Sequence, residues 1–197
     1  MTVSVEQVRE LRKATSAPVL DCKKALQTSD GDFDLAVDWL RQKGLSTAAT
    51  KAGRVANDGV INAYIHHGSR VGVIAEVNCE TDFVARSEDF QVLVHDILLH
   101  IAMANPLCVD VDDIPSDMLT REKEVFRAKA LQEGKSEHIA EKIVAGRLEK
   151  YYQRVCLLRQ PFIKDEELSI EDLVRRAIAK LGENIIVHRF ARFELGK

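Results

Sequence analysis

A chain of 197 residues, 46% hydrophobic, can bury one large core or two small ones. Its 28 lysines and arginines against 31 acids give a formal charge of -3, which excludes the broad basic excess that neutralises a phosphate backbone without sequence preference. No apolar run approaches the roughly 20 residues that cross a bilayer, and Met1 to Glu6 has neither the basic nor the apolar region of a secretory leader. The sequence therefore predicts a cytoplasmic protein with no membrane and no direct nucleic-acid partner.

In chain order, Val5, Val8 and Leu11 mark one face of a first helix, and Thr15-Ser16-Ala17-Pro18 breaks it. A second helix is predicted from Pro18 to Gln27, with Val19, Cys22, Ala25 and Leu26 inward and Lys23 and Lys24 partly outward, as on any solvated face. Asp30-Gly31-Asp32 starts a third, whose stripe of Phe33, Ala36, Val37 and Leu40 is expected to end at Gly44. A bundle this small sits near the lower limit for unaided folding, which suits a recognition module over residues 1–45. Small residues with Lys51 and Arg54 make 46–54 a linker, either a hinge or a short helical tether, to a second domain over 55–197.

The periodicity then changes. Gly59 to His66 and Arg70 to Val77 are β-prone runs joined by His67-Gly68-Ser69, an antiparallel hairpin. His66 and His67 lack a third ligand at suitable spacing and read as turn residues. Asp82 and Phe83 fall just past the strand end and before a helix predicted over Asp89 to Ala104, on Phe90, Leu93, Val94, Ile97, Ile101 and Ala104. Two readings stand on these residues. Either rigid flanks present Asp82 and Phe83 at a firm tip, or Phe83 folds back onto its own core and Asp82 is a solvated turn acid.

Asn105-Pro106 ends that helix. His100, on the flank of its apolar stripe, is either a structural histidine or a contact for a partner. Asp110 to Pro115 reads as an acidic loop. Met118 to Leu131 and Ser136 to Val155 are two helical patterns separated by Gly134, a hairpin of about 118–156 projecting from the sheet. Ser169 to Asp172 resembles a capping box opening a last helix that Gly182 stops, and Ile185 to Leu195 reads as a final strand.

Cys22, Cys79, Cys108 and Cys156 are scattered without a Cys-x-x-Cys, and read as reduced, small core residues, with no metal. Phosphate-cradling glycine loops, nucleophile elbows and His-Glu-x-x-His are absent, so no cofactor is expected and the chain offers binding surfaces rather than a reaction centre.

Several stretches together resemble the bacterial elongation factor Ts family. They are Leu11 to Thr15 with Asp21 to Leu26, Lys51 to Ala56, Asn78 to Ala85, His100 to Met103, Ile139 to Ile143, Gln160 to Phe162 and Arg192 to Gly196. The resemblance implies an α+β fold: a three-helix module like ubiquitin-associated domains, an antiparallel sheet core packed with helices, and a projecting helical hairpin. It also implies a non-enzymatic guanine-nucleotide exchange factor for elongation factor Tu. Thr81, Asp82, Phe83 and Val84 would enter the partner beside its magnesium, and Lys23, Val71, Gly72 and His100 would make further partner contacts. Val71 departs from the isoleucine of some relatives, and Ser16 and Pro18 stand where glycines are frequent. The chain resembles a short form with a single dimerisation core, which implies a homodimer. The alternative from another class is an adaptor or holdase that binds protein segments without affecting nucleotide.

Overall fold

The structure, a computed structural model, describes residues 3–15 and 17–197; Met1, Thr2 and Ser16 lie outside it. The described residues form an α+β chain. Its helices are α1 (Val5–Thr15), α2 (Val19–Thr28), α3 (Phe33–Lys51), α4 (Asp82–Ala85), α5 (Glu88–Ala104), α6 (Ser116–Gln132), α7 (Glu137–Val155) and α8 (Ile170–Leu181). Its strands are β1 (Asp58–Ile65), β2 (Val71–Cys79), β3 (Pro161–Phe162), β4 (Asp165–Ser169) and β5 (Ile186–Glu194). Among the described residues no helix is long and apolar enough to cross a membrane.

α1, α2 and α3 close over Leu11, Cys22, Ala25, Leu26 and Ala36, with Val8, Val37, Trp39 and Leu40 packed against them. Asp32 caps α3 by accepting from the Leu35 amide at 2.9 Å. The expected stop at Gly44 is not observed, because α3 continues to Lys51. Gly44 lacks the positive φ that ends a helix, and Leu45, Ala48 and Ala49 beyond it favour continuation. It faces Ala179, whose Cβ would lie 3.7 Å from a Gly44 Cβ. The predicted linker is thus helical over most of its length.

β1, β2 and β5 form a sheet in that spatial order. β2 alternates as its sequence requires, burying Val73, Ala75, Val77 and Cys79 while exposing Ile74. The β1–β2 turn closes through the His66 amide donating to the Val71 carbonyl at 2.8 Å. Gly59 has φ +139, and a Cβ there would lie 2.3 Å from the Val77 carbonyl oxygen, so only glycine fits. β5 runs antiparallel to β2, with the Leu195 amide on the Arg70 carbonyl at 2.8 Å and Arg189 paired with Glu76 at 2.8 Å.

By compactness the chain divides into two units, one of Met1–Val60, Val77–Leu93 and Asp172–Ile186, the other of Ile61–Glu76, Val94–Glu171 and Val187–Lys197. In the second unit α6 and α7 pack together across a turn where Gly134 takes φ +77, joined by Arg127–Glu137 at 2.7 Å. Their base surrounds a small core of Cys108, Ile114, Tyr151 and Cys156. The predicted acidic loop contains a 3-10 turn over Val111–Asp113, closed by a capping box between Asp110 and Asp113. β3 and β4 pair antiparallel, a ribbon that the sequence reading did not contain.

Candidate functional site: a braced acid and aromatic turn

Where the sequence predicts a loop after β2, the chain makes the single helical turn α4. Thr81 takes an extended conformation (φ -136°) and its hydroxyl accepts from the Val84 amide at 3.3 Å, which starts the turn. Val84 and Ala85 are thereby turned inward and buried, while Asp82 and Phe83 face solvent. Phe83 is 82% exposed, which rules out the reading in which it folds onto its own core. A phenyl ring so displayed forgoes roughly 1.5–3 kcal/mol of burial, so the fold spends stability to keep it outside. Asp82 forms an ion pair with Arg86 one turn later at 2.5 Å, and both side chains are well exposed. Exposed i,i+4 pairs contribute only about 0.3–0.5 kcal/mol, so Asp82 can exchange this partner for another.

The turn is held from outside itself. Gly182, at φ +77, ends α8, and the Lys51 ammonium donates to its carbonyl. The next residue, Glu183, accepts from the Glu80 amide at 3.1 Å, the Thr81 amide at 3.0 Å and the Thr81 hydroxyl at 2.7 Å. Contact also runs the other way. Glu80 accepts from the Asn184 amide at 2.6 Å and pairs with Arg54 at 3.4 Å. The Asn184 hydrogen bond first, and Arg54 after it, hold the Glu80 carboxyl below the ordinary glutamate value. Asn184, 2% exposed, donates its side-chain amide to the Arg54 carbonyl at 2.8 Å. Beneath, the Cys79 thiol donates to the Thr81 carbonyl at 3.2 Å, and burial pushes that thiol up, away from reactivity. Glu183 thus grips the backbone of Glu80 and Thr81 while Glu80 grips that of Asn184, and together they fix the approach to Asp82.

Of the residues expected to act, Thr81, Asp82, Phe83 and Val84 form this one turn, with Val84 as its inward anchor. Lys23 lies exposed on α2, next to Lys24, whose ammonium stands 6.0 Å over Trp39. Val71 and Gly72 open β2, half-buried; a Cβ on Gly72 would meet Ile65 at 3.1 Å. His100, read from the sequence as either a structural histidine or a partner contact, is 0% exposed. Its Nε2 bonds Gln160 Oε1 at 2.9 Å, its Nδ1 accepts from the Ile163 amide at 3.4 Å, and Phe162 packs 6.2 Å away. Burial lowers its pKa and keeps it neutral, as suits a core histidine. His66 bonds the Tyr64 hydroxyl at 3.1 Å. No group of three or more His, Cys, Asp or Glu able to hold a metal occurs among the described residues.

Sequence reasoning missed Glu183, Asn184, Arg54 and Arg86. Arg86 has a local signal, four residues after Asp82. Glu183 has none, because its partners are about a hundred residues away along the chain.

The fold and this turn define a class: an α+β protein that displays an acid and aromatic pair on a turn braced from another part of the chain. The chain belongs to the elongation factor Ts family. The family model described as Elongation factor TS matches residues 47–197. The chain is 53% identical over 195 residues to Elongation factor Ts of Moorella thermoacetica, covering 99% of this chain and 96% of that protein. It is 52% identical to the same factor of Caldanaerobacter subterraneus, over 99% and 98% of the two chains, and 51% identical to that of Geotalea uraniireducens, over 100% and 91%. Its place is accordingly in translation elongation.

Proposed function

We propose that the chain is a cytoplasmic guanine-nucleotide exchange factor for elongation factor Tu, and that the turn at Asp82 and Phe83 is its working tip. The supporting observation is Phe83, 82% exposed on a turn whose base is fixed by Glu183 and Asn184. A factor that releases GDP must bind the nucleotide-free partner more tightly than the loaded one, and linkage then weakens nucleotide affinity by the same ratio. No bond needs to break. Phe83 fills an apolar slot present only in the opened partner. Asp82 exchanges Arg86 for groups that support the partner's magnesium, and loosening the ion that bridges the phosphates lowers nucleotide affinity. A thousandfold acceleration requires about 4 kcal/mol, within the range of one well-buried aromatic anchor and its neighbours.

The module over 1–45 supplies a second contact through Lys23, and Val71 and Gly72 a third. A second copy of the chain pairs through the sheet, where β5 is an edge strand carrying exposed Phe193 and Leu195 follows it; sizing chromatography tests this, a monomeric mass contradicting it. The test of function is release of fluorescent GDP from purified elongation factor Tu. Acceleration supports exchange, binding without acceleration selects the adaptor reading, and absence of binding overturns both.

A further inference from the structure

Cys108 and Cys156 meet at the base of the α6–α7 pair. The Cys108 amide donates to the Val155 carbonyl at 3.3 Å and its carbonyl accepts from the Leu157 amide at 2.9 Å, so the two residues face each other across an isolated parallel bridge. Their sulfurs are 3.7 Å apart, enclosed by Ile114 and Tyr151 with Phe126 and Tyr152 beyond. Neighbouring strands lie about 4.7–4.9 Å apart, inside the Cα separation of roughly 4.4–6.8 Å that a disulfide spans. Closing the sulfurs to about 2.05 Å needs a side-chain rotation, not a backbone rearrangement. Neither other cysteine has such a neighbour: the Cys22 sulfur contacts Thr15 and Ala17, and that of Cys79 contacts Thr81.

We propose that Cys108 and Cys156 form a reversible redox site, oxidised by hydrogen peroxide to an intramolecular disulfide and returned to the dithiol by a thiol reductant. In the first step the Cys108 thiolate attacks peroxide: an S–O bond forms, the O–O bond breaks, and the departing hydroxide takes a proton to leave as water. In the second, the Cys156 sulfur attacks the resulting sulfenic acid, an S–S bond forms, the S–O bond breaks, and a second water carries away the Cys156 proton. Each cysteine gives up one electron and the peroxide takes both. Cys108 is the entry point, since it keeps 9% exposure while Cys156 has none. Burial raises the Cys108 thiol as well, so oxidation runs slowly through a minor thiolate fraction; a hydrogen bond from Cys156, itself pushed up to about 12 chiefly by burial and so protonated, favours that fraction. The disulfide encloses α6 and α7 within one covalent loop and ties the end of α7 to the segment after α5.

The experiment treats the full chain with hydrogen peroxide, then denatures, alkylates and maps it by mass spectrometry. The expected result is a fall from four alkylatable thiols to two, loss of two hydrogens from the intact mass, a peptide linking Cys108 to Cys156, and reversal by dithiothreitol. In Cys156→Ser, Cys108 stops at a sulfenic acid trapped by dimedone, whereas Cys22→Ser keeps the cross-link. Four thiols remaining, over-oxidation of Cys108 without a cross-link in the unmutated chain, or a link to Cys22, Cys79 or another molecule would each overturn the proposal.

Discussion

Replacing Glu183 with alanine separates a braced turn from one that holds itself. The change removes three contacts, from the amides of Glu80 and Thr81 at 3.1 and 3.0 Å and from the Thr81 hydroxyl at 2.7 Å. Hydrogen bonds to charged groups contribute roughly 1.5–3 kcal/mol each, but two of these lie at the surface, where water substitutes for the lost acceptor. About 1 kcal/mol apiece, 2–3 kcal/mol together, is the appropriate magnitude. At 1.4 kcal/mol per decade this shifts the balance between docked and undocked turn by roughly 30- to 150-fold. Hydrogen exchange at the amides of Glu80 to Val84 should accelerate by about that factor. In stopped-flow release of fluorescent GDP, a docked state with a reserve of ~3 kcal/mol would fall to between about 85% and 50% occupancy, and the half-saturating factor concentration would rise by about 1.2- to twofold. The plateau rate should change little, because the tip itself is intact. Unchanged amide protection together with an unchanged half-saturating concentration would refute the brace.

The opposite grip has a pH signature. The folded-state value of Glu80 lies below its ordinary one, so its contribution is complete above the ordinary glutamate range and is lost as pH falls through the depressed folded value; protection of the Asn184 amide should fade over that interval, and Glu80→Gln should abolish the dependence. His100→Ala should cost about 2–4 kcal/mol through the cavity and the orphaned Gln160, read as a lower denaturant midpoint. Because the folded pKa of His100 is lowered, its contribution in the unmutated chain is complete above about 6.5 and declines as pH falls below that. Weakened partner binding at unchanged stability would instead make His100 a direct contact. Asp82→Ala should slow GDP release less than loss of the ring does, and most at high magnesium, where the partner's ion is hardest to displace.

The elements that periodicity encodes were legible in the sequence. β2 buries Val73, Ala75 and Val77 as its alternation requires, and α6 and α7 fall within two residues of their predicted spans. What escaped depended on distant residues or on conformations a pattern does not carry. Gly44 has the composition of a helix stop, but its backbone stays right-handed and α3 continues. The ribbon of β3 and β4 is too short and too acidic to stand out, at two residues paired with Asp-Glu-Glu-Leu-Ser. Thr81 two residues before Phe83 was a readable cap signal, yet whether the ring points in or out is decided by Val84 and Ala85 occupying the inward side. His100 is enclosed by Gln160 and Phe162, sixty residues on, which no local stripe reveals.

The most direct measurement is the maximal rate of fluorescent-GDP release from elongation factor Tu at saturating Phe83→Ala factor. The expected plateau is lower by on the order of tenfold or more, the consequence of losing at least ~1.4 kcal/mol of preference for the opened partner. A plateau equal to that of the unmutated chain would contradict the assignment of Phe83 as the wedge.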